Sequence, residues 1–78
     1  MGVLLADRMV ELRQWLADGT AERIRIEAGV SRYQVACSLG VRETTVFRWE
    51  RGQRSPTRKL APGYHRLLQR LAARGRAA

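Results

Sequence analysis

The chain is poor in the residues on which metal sites, disulfide scaffolds and most hydrolytic active sites depend. It has one cysteine, Cys37, and one histidine, His65, which excludes an internal disulfide and a dedicated structural zinc site. A reduced, cytoplasmic setting is the expectation. No nucleophile–base pair or pair of carboxylates can be assembled, so neither enzymatic activity nor a cofactor is expected. Cys37 reads as a passive small residue, and His65 alone supports no catalytic or metal role. No apolar run approaches the ~20 residues that cross a bilayer, and no membrane partner is implied. The opening MGVLLADRMVEL lacks a basic leader and meets Asp7 too early for a signal peptide. Ala6 also stands where N-myristoylation wants Ser or Thr.

Acidic residues are scarce in one part of the chain only. Residues 1–30 carry four basic and five acidic side chains, whereas residues 31–78 carry eleven basic and two acidic. The net charge of +8 is therefore concentrated after residue 30. Positive charge gathered in this way predicts a polyanionic partner, with nucleic acid ahead of a membrane surface. The chain has 78 residues, 45% hydrophobic and 28% charged, which is the balance of one small globular domain, 1–78.

The periodicity is helical throughout, and the expected class is all-α, a bundle of about five helices. Leu5, Met9, Leu12 and Leu16 recur at three- and four-residue steps in a first amphipathic helix over Val3–Ala17. Leu4, Val10 and Trp15 broaden its apolar face beyond the needs of one packing contact. DGT at 18–20 ends it and offers Asp18 or Thr20 as the next N-cap, for a helix from Thr20 to about Ala28 closed by Gly29. Ser31 followed by Gln34 fits a capping box for a third helix ending at Leu39, and Gly40 suits a tight left-handed turn. A fourth helix is expected over about Glu43–Arg51, stopping at Gly52. GQRSPT is loop, with Pro56 as a breaker. A fifth helix starts between Thr57 and Gly63 and runs to about Ala73 with Leu67, Leu68 and Leu71 inward, leaving RGRAA as a frayed tail.

The central SRYQVACSLGVRETTVFRWERG, residues 31–52, places Val35, Ala36 and Leu39 on one face of its first helix. Val46 and Trp49 share one face of the second, and Glu43, Thr44, Phe47, Arg48 and Arg51 point the other way. A helix held across another, with an arginine-bearing outer face, has the dimensions of a major-groove reader. Ala36, Gly40, Val46 and Trp49, with Val35, Leu39 and Val41 around them, resemble the helix-turn-helix of lambda-type phage repressors and Cro proteins, also called the xenobiotic-response-element type. WERG at 49–52 followed by Pro56 is similar to the family's ending, and AERIRIEAGVS to its first helix and lead-in. The resemblance covers a core of roughly 20–75, to which residues 1–18 add an amino-terminal helix.

The resemblance implies a sequence-specific, double-stranded DNA-binding regulator, of phage or prophage repressor type, with recognition helix 42–51. It places Arg42, Glu43, Thr44 and Arg48 at base-reading positions. Arginine suits guanine O6 and N7, glutamate accepts from cytosine N4, and threonine meets a thymine methyl. Glu43 could instead orient Arg42 or Arg32. Arg32, Arg51, Arg54, Arg58 and Lys59 flank the helix and suit phosphates. The resemblance also implies that Arg25 bonds Glu50, tying the motif to its scaffold. Two positions depart from the family. Arg32 stands where a glutamine often contacts a phosphate and braces a base-reading side chain. Phe47 stands where a small or polar residue is usual; it could pack on a thymine methyl, against the amino-terminal helix, or on a partner subunit. Trp15 and Trp49 read as core, and Arg66, Arg70 and Arg74 as a solvated stripe. The implied assembly is a homodimer formed through the amino-terminal helix, the last helix, or both. The alternative is an antitoxin or recombination accessory factor whose outer helices hold a protein partner.

Overall fold

The computed structural model describes residues 5–77. Five helices follow one another: α1 (Leu5–Ala17), α2 (Thr20–Glu27), α3 (Arg32–Leu39), α4 (Glu43–Glu50) and α5 (Ala61–Ala77). No strand occurs among the described residues. Val3 and Leu4, assigned to the first helix from sequence, lie outside them.

Helices of eight residues, the length of α2, α3 and α4, do not persist alone in water. Tertiary packing holds them. Leu12, Ala21, Val35, Ala36, Val46, Trp49, Ala61, Tyr64 and Leu68 form one buried cluster with contributions from every helix. The Trp49 and Tyr64 rings meet at 5.0 Å, joining α4 to α5. Helix α5 packs on α1 and α2, and α3 packs on α4.

Local chemistry sets where the short helices begin and end. At the start of α3 both halves of the capping box form: Gln34 N–H donates to Ser31 Oγ at 3.1 Å, and Ser31 N–H donates to Gln34 Oε1 at 2.8 Å. Gly40 ends α3 at φ 71°, and the Val41 N–H closes the turn on the Ala36 carbonyl at 3.0 Å. The α1–α2 corner differs from the expected cap. Gly19 is the N-cap, at φ 84°, a conformation that Asp18 or Thr20 would adopt only under strain. Asp18 still contributes from one residue further out, accepting the Thr20 N–H at 2.9 Å.

The carboxyl terminus also departs from expectation, because α5 continues through the segment read as frayed, to Ala77. Gly75 lines one cleft with Trp15 of α1 and Ile24 of α2, and nothing lies within 4 Å of where its Cβ would be. Trp15 and Leu16 pack against the core cluster, which uses much of the apolar surplus of α1. Val10 is left exposed.

Candidate nucleic-acid interface

Helix α4 is divided by burial. Val46 and Trp49 are 0% and 2% exposed and anchor it across α3, while Arg42, Glu43, Thr44, Phe47, Arg48 and Arg51 are all exposed. Arg42 occupies the N-cap in extended conformation without a side-chain capping bond, so its guanidinium is free to reach outward. Glu43 opens α4, where the helix dipole favours a carboxylate. No ion pair joins it to Arg42 or Arg32 among the described residues.

The loop after α4 folds back on its end. Gln53 N–H donates to the Arg48 carbonyl at 2.9 Å, and Arg54 N–H reaches the same carbonyl at 3.3 Å. This places Arg54 beside the last turn of the outward-facing helix. Arg58 and Lys59 are exposed just before α5. With Arg51 they give the loop four cations and no acid between Arg51 and Leu60.

Beneath this surface lies a four-residue ionic cluster. Arg25 donates through Nε to Glu50 Oε2 at 2.7 Å and through Nη2 to Oε1 at 3.2 Å, and its Nη1 reaches the Val30 carbonyl at 3.0 Å. The Arg25 and Glu50 side chains are 8% and 1% exposed, so this is a buried, forked pair. Arg32 donates through Nε to Glu50 Oε1 at 2.9 Å and through Nη2 to Glu22 Oε2 at 3.2 Å. Two arginines therefore share one buried carboxylate. The hydrogen bond to Glu50 is the main cause of a guanidinium pKa raised above its ordinary value in Arg32.

Sequence reasoning named Arg25, Arg32 and Glu50 and missed Glu22. Two of the Arg32 donors are committed to carboxylates. Its guanidinium carbon also lies 5.0 Å from the centroid of the Phe47 ring, and that of Arg51 lies at 5.3 Å. Glu22 was detectable only as a carboxylate three residues before Arg25 on one helix, a weak signal. Phe47 is exposed and is not among the hydrophobic residues packed against the core cluster.

A helix-turn-helix family model matches residues 22–72, from within α2 through most of α5 and including the whole α3–α4 unit. The chain belongs to the lambda repressor/Cro-like helix-turn-helix family. It is a DNA-binding helix-turn-helix regulator. The match starts at residue 22, so α1 lies outside it. No curated protein and no solved structure matches the chain. Among the described residues, no helix is long and apolar enough to cross a membrane.

Proposed function

We propose that this protein is a sequence-specific transcriptional repressor of phage or prophage type that inserts α4 into the major groove of double-stranded DNA. The observation carrying this reading is the two-sided character of α4. One face is locked into the core by Val46 and Trp49, and the other presents Arg42, Glu43, Thr44, Phe47 and Arg48 to solvent. A rigidly held helix with hydrogen-bonding side chains outward is what base-edge recognition requires. Arg51, Arg54, Arg58 and Lys59 border that face and neutralise phosphates on either side of the groove. Arg32 enters the interface chiefly as support for Phe47.

One eight-residue helix spans few base pairs, which favours binding as a two-fold dimer on inverted half-sites whose major grooves lie ~34 Å apart. Helix α1 serves this assembly by buttressing α5, against which it packs. Footprinting on the DNA that flanks the gene tests the proposal. A salt-sensitive, protected site with two inverted halves is the expected result. A single asymmetric footprint with one protein per duplex would rule out the dimer, and absence of any sequence preference would rule out the reading helix.

A further inference from the structure

We propose that Phe47 reads the 5-methyl group of a thymine and that Arg32 is the residue that positions it. This deepens the preceding reading and rests on α4 being the helix that enters the groove.

Phe47 is the exposed aromatic on an otherwise polar helix face, with 37% of its surface open. An unsupported phenylalanine there would sample several rotamers and lose entropy on binding. Here the ring is held. The Arg32 and Arg51 guanidiniums lie 5.0 and 5.3 Å from its centroid, within the range in which the ring quadrupole attracts a cation. Arg32 is itself fixed, through Nε to Glu50 at 2.9 Å and through Nη2 to Glu22 at 3.2 Å. Glu50 is fixed in turn by the fork from Arg25. A continuous chain of charge-assisted contacts thus runs from the buried scaffold to the outward ring.

The space beside that ring says what it accommodates. Arg32, Glu43, Thr44 and Phe47 line an open cleft of about 380 Å³. Phe47 and Thr44 bring apolar atoms to this lining, Glu43 brings a carboxylate that repels phosphate, and the Arg32 charge is shared with Glu22 and Glu50. A base edge therefore fits better than the backbone. In the major groove thymine is the base whose edge carries a methyl. The same chemistry is presented by 5-methylcytosine.

The test uses a duplex selected by the full-length protein from a random-sequence library, with each thymine replaced singly by uracil, which lacks only the methyl. In the wild-type protein one thymine per half-site should show about a fourfold loss of affinity, the factor equivalent to ~0.8 kcal/mol for one buried methyl-sized group. In Phe47→Ala, whose fold is checked by circular dichroism, that loss should vanish while the other positions keep their effects. In Arg32→Ala the thymine effect should flatten although Phe47 remains, with Arg32→Lys restoring part of it. Uniform insensitivity to uracil in the wild type, or an undiminished thymine effect in Phe47→Ala, overturns methyl reading. An undiminished effect in Arg32→Ala overturns the positioning role. A gain on methylating a cytosine, lost in Phe47→Ala, supports methyl reading with 5-methylcytosine as the source. If the library yields no salt-sensitive duplex at all, the groove-binding reading fails and this one with it.

Discussion

His65 on α5 places its Nε2 2.6 Å from Oε1 of Glu11 on α1, and its ring stacks on Trp15 at 5.1 Å. A carboxylate oxygen only accepts, so Nε2 carries the hydrogen of this bond. His65 is 1% exposed, and among the described residues its Nδ1 has no partner. The contact fastens α1, which lies outside the family match, to the last helix. Its polar half is satisfied at one nitrogen only.

Glu11→Ala removes the acceptor of a buried N–H and should cost about 1–3 kcal/mol, towards the low end because Glu11 is 47% exposed and water can replace it in part. Replacing both partners, as His65→Phe with Glu11→Leu, keeps the stack on Trp15 and removes the orphaned Nδ1 as well. The double variant should regain most of the lost stability. Thermal unfolding of the set checks this, and a double variant weaker than Glu11→Ala would contradict it.

The shared carboxylate makes Arg25 and Arg32 unequal. Arg25→Ala deprives Glu50 of two hydrogen bonds in a site where its side chain is 1% exposed, and should cost about 3–5 kcal/mol. Arg32, with 27% of its side chain exposed, should cost only ~1 kcal/mol when truncated alone. After Arg25→Ala, Glu50 depends on Arg32, so the same truncation should cost more. A double-mutant cycle in urea reads this coupling, and additivity within ~0.5 kcal/mol would count against it.

Burial raises the Tyr64 phenol above its usual pKa of 10.0, with the nearby Glu50 carboxylate adding to the effect. A group whose pKa is raised on folding holds its proton more tightly in the native state. Its contribution to stability is complete below the unfolded value, near pH 10, and is lost as pH rises beyond it. The wild-type Tm should therefore fall on going from about pH 9 to about pH 11. Tyr64→Phe, which keeps the ring against Trp49, should fall by less. Parallel declines in the two proteins would show that Tyr64 is not the group responsible.

On the proposed reading of α4, Arg48 reads a base and Arg54 neutralises a phosphate. Arg48→Ala should cost about 1–3 kcal/mol on the preferred duplex and relax the preference at one base pair. Arg54→Ala should weaken every duplex alike and reduce the slope of log K against log salt by about one. Binding titrations at several salt concentrations over a panel of site variants distinguish them. The same profile from both variants would erase the division.

The order and type of the helices were legible along the chain because the signals that set them are local. Ser31 and Gln34 lie one turn apart and cap each other, Gly40 takes up its left-handed turn, and Val46 and Trp49 fall on one face by helical spacing alone. The charge asymmetry after residue 30 was likewise countable without a fold. The Arg25–Glu50 contact spans 25 residues and came from family likeness, since no periodicity links positions that far apart.

What tertiary structure alone decided are the contacts whose partners are distant in sequence and whose chemistry is ambiguous in isolation. Arg32 read from sequence as a phosphate ligand, and only the approach of α2 and α4 reveals its bonds to Glu22 and Glu50. His65 read as an inert single histidine because its carboxylate partner lies 54 residues earlier, brought to it by the packing of α1 on α5. Helix α5 also extends to Ala77 although local propensity at Gly75 argues for fraying. Sequence fixed the helices and the sign of the charge, because hydrogen bonds to near neighbours and side-chain spacing decide both. Only the fold could decide which charges are spent inside the molecule and which remain for DNA, because that depends on which helices meet.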